Sequence, residues 1–380
     1  MLRRLFLFIL LLVGVFISRP MWEGYLNDYV DLSFMDSISS SVDSVKENPA
    51  VIVAIDTAQD TLHSLFVQID QAIEQTPVLQ TQESEEIERP DLSPPTDQTF
   101  SVYNIQVGDS KEHVEQQLGE PVRQSQNEYG VDWYTYHENY QNFMMVSYDE
   151  GNLVNGLYTN QELISSSVGI ELNSSKEAVR EQLGEPLTGI RKGMIVYQIQ
   201  SNEEYDVYQL DGSYATIFYD IHEENSVTAL QIISEELEKN KNHLYAEESR
   251  ALKEGFEYQL FDFTNASRVN HGLPILNWDD HVRETAREHS LDMAENLYFD
   301  HTNLEGQSPF DRMEEDGVRF TVAGENLAYG QSSSIFAHEG LMNSLGHREN
   351  ILKSDFRFLG IGVAFNAESQ PYYTENFYNQ

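Results

Sequence analysis

The sequence predicts an α+β protein built from successive, differently patterned parts. Three observations carry this. A motif of a short helix followed by strand-like runs occurs twice, its Gly119 and Gly184 standing 65 positions apart. In the last third, helix-periodic apolar stripes give way to two C-terminal runs with strand character. Between them and the N-terminus, residues 76–99 mix Glu83, Glu85, Glu86 and Glu88 with Pro90, Pro94 and Pro95, the composition of a linker.

The N-terminus opens the chain. Arg3 and Arg4 precede an apolar run from Leu5 to Ile17, the pattern of an export signal, and no small-residue cleavage site follows it. Residues 1–20 are therefore expected to be a signal sequence or a membrane anchor, leaving the rest of the chain extracytoplasmic or secreted. Residues 21–75 are expected to form a helical stalk, because Val51, Ile55, Leu62, Leu65, Phe66 and Ile69 recur at near-helical spacing.

The repeat occupies residues 100–234. Ser110 in the first copy, and Ser174 and Ser175 in the second, stand where a helix N-cap is wanted. Val114 with Leu118, and Val179 with Leu183, form one apolar stripe in each copy. Gly119 and Gly184 supply the helix stop, and Pro121 and Pro186 prevent continuation. Strands are expected at 131–136, 143–148 and 153–158 in the first copy, and at 194–200, 206–210, 214–219 and 227–233 in the second. The many tyrosines read as strand packing residues. Residues 235–254 are charged and expected to be a helical connector to the part that starts at 255.

Composition limits the partners. With 63 acidic residues against 23 basic ones, the formal net charge is -40. Such a field repels nucleic acid phosphates, so nucleic acid is excluded as a partner, and anionic lipid heads are disfavoured. The chain has no cysteine, which rules out disulfides and thiolate metal sites.

From residue 255 to the C-terminus the motifs come in a specific order. Phe256, Leu260 and Phe263 line a helix stopped by Gly272, with Leu273-Pro274-Ile275-Leu276-Asn277-Trp278 behind it. Asp279 or Asp280 caps a second helix whose Val282, Ala286 and Met293 share a face. Then follow Phe299-Asp300-His301-Thr302, Ser308-Pro309-Phe310-Asp311-Arg312, Gly324-Glu325-Asn326-Leu327-Ala328 and Asn343-Ser344-Leu345-Gly346-His347-Arg348-Glu349-Asn350. Residues 358–365 and 371–378 read as closing strands. Rival motifs fail: His338-Glu339-Gly340-Leu341-Met342 lacks the second histidine of a zincin helix, and Gly360-Ile361-Gly362 lacks the third glycine of a dinucleotide site.

This ordered set resembles the CAP superfamily (cysteine-rich secretory, antigen 5 and pathogenesis-related 1, also called SCP). The repeat resembles the CAP-associated region that precedes some bacterial members. The resemblance implies an α-β-α sandwich for 255–380 whose cleft gathers His301, Glu325 and His347, with Asn326 and Ser344 in support. It also implies a divalent cation such as zinc, since two imidazoles and a carboxylate suit one. Leu341 and Ser344 depart from the family's tryptophan and second glutamate, so catalysis is disfavoured. The leading expectation is a membrane-anchored or secreted envelope binding module for an envelope component, lipid or peptide. The alternatives are a metal-assisted hydrolase or protease using the His/Glu cleft, and a structural envelope protein. In this reading Glu339 faces away from the cleft, and Arg348 pairs with a carboxylate at its own helix end.

Overall fold

The computed structural model describes residues 87–192, 195–201, 203–241 and 243–380. The expected anchor, the stalk and the first part of the linker lie outside the described residues. The second part of that linker, 87–99, has no helix or regular strand, yet it is tied down. Ile87 N–H donates to Gln141 Oε1, Thr99 N–H to Asp211 Oδ2, and Ser165 Oγ to Ser93 C=O.

Each copy of the repeated motif begins with a capped helix. After strand β1 (Phe100–Val102), Ser110 Oγ accepts from His113 N–H and starts α1 (Lys111–Leu118). Gly119, at φ +76°, ends it. Strands β2 (Arg123–Gln126), β3 (Asp132–Glu138), β4 (Gln141–Tyr148) and β5 (Val154–Thr159) follow, then β6 (Ile164–Ser166), which pairs with β1. In the second copy Ser175 Oγ accepts from Ala178 N–H, α2 (Lys176–Leu183) forms, and Gly184 ends it at φ +80°. A separate hairpin of β7 (Gly189–Lys192) and β8 (Ile195–Gln198) comes next. Then come β9 (Tyr205–Leu210), β10 (Ser213–Asp220) and β11 (Ser226–Ser234).

The strands join into one antiparallel sheet of seven, ordered β2-β3-β4-β5-β11-β10-β9. The last strand of each copy meets at the centre, with Thr159 opposite Leu230 and Gly156 opposite Ile233. Side chains alternate across it. Met144, Val146, Leu157 and Ile217 face the core that holds Val114 of α1 and Val179 of α2. Phe143, Met145, Tyr158 and Phe218 face the other way, into a core shared with the C-terminal part. Covering on both faces explains why β10 is buried at every position.

The expected connector differs from the structure. Among the described residues there, helix covers only α3 (Glu235–Asn240) and the first five residues of α4 (Arg250–Asn270), which crosses the expected boundary at 254/255. Ser234 and Ser249 each cap a helix start, so a break between the two is locally encoded. Nor is the C-terminal part a separate body. Leu252, Phe256, Leu260 and Phe263 of α4 pack in the same core as Trp133, Phe143 and Tyr158. Gly255 permits this: a Cβ there would sit 2.1 Å from Gln126 C=O on β2.

The C-terminal sheet is ordered β12 (Asn277–Trp278), β14 (Phe358–Phe365), β15 (Pro371–Asn379), β13 (Val322–Tyr329). Strand β14 explains its layering. Leu359, Ile361 and Val363 face the core containing α4. Gly360 and Gly362 face α5 (Asp280–Asn296), where a Cβ would lie 2.3 and 2.1 Å from the amide nitrogens of Arg283 and Arg287. Helices therefore cover both faces, giving the α-β-α sandwich. Three short helices complete it: α6 (Pro309–Glu315), α7 (Ser334–Asn343) and α8 (Leu345–Ile351).

Candidate functional site

The Gly-Glu-Asn segment lies on β13, an edge strand of the C-terminal sheet. Consecutive strand residues point to opposite faces, and each has a distinct task. Gly324 lets α8 approach, since a Cβ would meet Asn350 Oδ1 and Phe356 Cζ at 2.9 Å. Glu325 turns to the face of α6. Asn326 turns to the other, donating to His347 C=O at 3.1 Å and to Glu375 Oε2 at 3.0 Å. Asn350 Nδ2 donates to Glu325 C=O and to Asn326 Oδ1, which locks α8 onto β13.

Glu325 is buried, and its side chain makes two charge-assisted contacts. His301 Nδ1 lies 2.9 Å from Oε1, and Arg312 Nη2 donates to Oε2 at 2.6 Å. Arg312 also donates from Nη1 to His301 C=O and Gln307 C=O, so one guanidinium fixes both the carboxylate and the histidine loop. It reaches this place from α6, started by a Ser308–Asp311 capping box with Pro309 at the first turn. His301 is half exposed, and its hydrogen bond to Glu325 raises its pKa above the usual histidine value. A carboxylate can only accept, so Nδ1 carries the proton and Nε2 is left outward in the neutral ring.

His347 lies on α8. Its Nδ1 is 2.8 Å from Ser344 Oγ, one helical turn back. Burial lowers its pKa, and the charge of His301 lowers it further. Its backbone carbonyl accepts from Asn326, the strand neighbour of Glu325. The structure thus brings together His301, Glu325, His347, Ser344 and Asn326. It also adds Arg312, which the sequence offered only as part of a motif. The signal was the capping box, which places residue 312 one turn into a helix leading back toward His301.

One neighbouring residue is assigned differently from expectation. Arg348 does not pair at its own helix end. It donates to Asp220 Oδ2 at 2.6 Å, on β10 of the repeat sheet, because α8 abuts that sheet's 220–225 turn. Asn343 binds the same region, accepting from Ile221 N–H and donating to Tyr219 C=O. Glu339 is buried away from the histidine pair, where it accepts from Tyr158 Oη at 2.7 Å, and burial raises its pKa to about 7.

The donor set fits a divalent cation only in part. Two neutral imidazole Nε2 atoms are the available ligands, each ring oriented through Nδ1 by Glu325 or Ser344, an outer-shell arrangement familiar from metal sites. Glu325 itself is committed to Arg312. Among the described residues, no three His, Asp or Glu side chains converge as a ligand set. A cation here would be held by two histidines and would keep open positions as a Lewis acid.

With fold and site in view, the class is defined: the chain belongs to the cysteine-rich secretory protein (CAP) family. That family's sequence model matches residues 261–377, and the CAP-associated N-terminal model matches residues 107–244. Among curated relatives, YlbC of Bacillus subtilis (strain 168), named an uncharacterized membrane protein, is 30% identical over 297 residues, covering 71% of this chain and 82% of that one. YkwD of the same organism is 38% identical over 122 residues, 32% of this chain and 46% of that one. Among solved structures, an extracellular SCP-domain protein of Bacillus anthracis str. Ames superposes with TM-score 0.64 at 25% identity, over 78% of this chain and 100% of the other. A cysteine-rich secretory protein of Staphylococcus aureus subsp. aureus Mu50 shares the fold, with TM-score 0.57 at 16% identity over 72% and 91% of the two chains.

Proposed function

We propose that this chain is an extracytoplasmic binding module of the bacterial cell envelope, anchored or exported by its N-terminal segment. Its ligand site is the β13 edge between His301 and His347. The occupant is an envelope component with an apolar part, a lipid or a peptide, assisted by a divalent cation such as zinc. One observation carries the reading: two oriented imidazoles stand among exposed apolar side chains. Phe299 and Leu304 flank His301 in sequence, Leu345 flanks His347, and Tyr329 lies 5.9 Å from Phe299, ring centre to ring centre. Exposed apolar groups beside convergent polar atoms are the usual make-up of a ligand site. The extracytoplasmic placement is supported by the membrane protein name of the Bacillus subtilis relative and the extracellular description of the Bacillus anthracis structure.

A hydrolase is the second reading, favoured by the Glu325–His301 pair, which orients an imidazole as a general base requires. Zinc titration by calorimetry, on the full chain and on His301→Ala/His347→Ala, tests the site. Binding of about one zinc, lost in the variant, is expected. Equal heats from both proteins refute the cation reading. Hydrolysis of an ester or peptide that needs both histidines moves the conclusion to the hydrolase.

A further inference from the structure

Helix α8 carries His347 but is poorly equipped to hold it in place. It has seven residues, and a helix that short is not stable in water by itself. Its N-cap residue, Ser344, makes no side-chain cap bond; the Oγ is engaged with His347 Nδ1 instead. The position of α8 therefore comes from contacts outside it. At its C-terminal half the CAP sandwich supplies them: Asn350 Nδ2 donates to Glu325 C=O, and Arg268 Nη1 to Ile351 C=O.

At its N-terminal end the repeat sheet supplies them, through the turn between β10 and β11. Asn343, just before Ser344, accepts from Ile221 N–H at 3.1 Å and donates to Tyr219 C=O at 2.9 Å. The backbone C=O of Asn343 lies 3.0 Å from His222 Nε2, which must donate, since a carbonyl oxygen only accepts. Arg348, just after His347, donates to Asp220 Oδ2 at 2.6 Å, and Glu223 Oε1 stands 4.0 Å from its Nη2. Asn343, Arg348 and Asp220 are all buried. The two residues that bracket Ser344 and His347 are thus fastened to one turn. That turn is itself well fixed. Asp220 Oδ1 accepts from His222 N–H, and Ser226 N–H donates to Glu223 C=O across the tight corner at Glu224 and Asn225.

We infer that the repeat sheet is a positioning element of the ligand site: its β10–β11 turn, chiefly through Asp220, sets where α8 holds Ser344 and His347. Packing of two parts against each other accounts for apolar burial between them. It does not account for four hydrogen bonds that converge on the residues flanking one histidine. This role rests on the reading of His347 as part of the ligand site. Asp220 acts through Arg348. Its loss leaves the guanidinium buried without its carboxylate, the costly half of a broken ion pair, and α8 shifts to relieve it.

The test is NMR of the histidine rings of the full chain, recorded without metal, followed by zinc titration. Asp220→Asn is expected to move the His347 ring signals, and to move those of His301, which Glu325 and Arg312 hold, much less. Zinc affinity should fall about tenfold, the usual effect of losing an outer-shell partner. Asp220→Glu, which keeps the charge, should restore both. His222→Ala, at an exposed residue, is the milder variant and should move the same His347 signals. Arg123→Gln is the control: it breaks another ion pair between the repeat sheet and the CAP part, with Asp262 on α4, and should lower Tm without moving His347. Unmoved His347 signals in both Asp220→Asn and His222→Ala overturn the proposal. So do equal shifts in Arg123→Gln, which trace the effect to general loosening. If the wild-type chain binds no zinc, the cation reading falls, and the ring signals still decide the positioning role.

Discussion

Replacing Gly255 by alanine sets two effects of opposite sign against each other. Alanine in a helix interior is worth roughly 1 kcal/mol over glycine. Position 255 is mid-helix in α4, so propensity alone predicts a gain. Against this, the new Cβ would stand 2.1 Å from Gln126 C=O and 3.1 Å from Gln126 N, all rigid backbone. Relief requires α4 to lift from β2 by about 1.4 Å, since contacts of this kind settle near 3.5 Å or beyond. That shift strains the bonds that bind the two, Gln259 Nε2 to Gln126 C=O at 2.9 Å and to Ser125 Oγ at 3.1 Å. It also loosens a core in which Phe256 and Leu260 meet Trp133 and Phe143. Overpacking costs roughly 1–3 kcal/mol where side chains can adjust, and backbone adjusts less, so the upper end applies. The net expectation is a loss of about 1–2 kcal/mol, or several degrees in Tm. Gly340→Ala is the control, because α7 has open space at that Cβ. Its expected effect is a gain of up to about 1 kcal/mol. Thermal and urea unfolding of both variants decides the matter. Gly255→Ala unfolding at or above the wild-type temperature would refute the claim that close backbone packing fuses the two sheets.

Two further outcomes follow from the charges. Glu325→Gln removes the main cause of His301's raised pKa, so the histidine should titrate at lower pH; NMR titration of its ring proton reads this directly, and an unmoved midpoint would show that Glu325 does not orient it. Burial raises the pKa of Glu339 to about 7 from its ordinary value of 4.5, so between these pH values the unfolded chain has lost a proton that the folded one keeps. Stability at this group is therefore full below about 4.5 and declines as pH rises toward 7. Glu339→Gln keeps an acceptor for Tyr158 and removes that decline, gaining on the order of 2–3 kcal/mol relative to wild type across the window. A stability difference that does not change with pH, followed by urea denaturation, would rule this out.

The charged and polar groups show why some assignments were out of reach. The Arg348–Asp220 pair joins residues 128 positions apart, and nothing near Arg348 in sequence marks Asp220 as its partner. Glu339 was expected to face away from the histidines, and it does, but its partner Tyr158 belongs to the repeat sheet. Arg312 was visible as a motif member and its helix start was legible, yet its pairing with Glu325 depends on where β13 runs.

Local physics was readable directly from the chain. Serine caps, glycine stops and apolar spacing placed α1, α2 and α5 and most strands, because each is decided by contacts within a few residues. The sequence also determined the family, the acidic character, and the grouping of His301, Glu325 and His347 through the order of its motifs. Only the tertiary structure decided that the repeat sheet and the CAP sandwich share one core. Apolar residues such as Phe143 and Phe256 announce that they are buried but not against what, since hydrophobic burial has no direction. The same holds for Glu325: its carboxylate is held between an arginine and a histidine, a pairing that the order of the motifs did not announce, because three elements distant in sequence converge at one sheet edge.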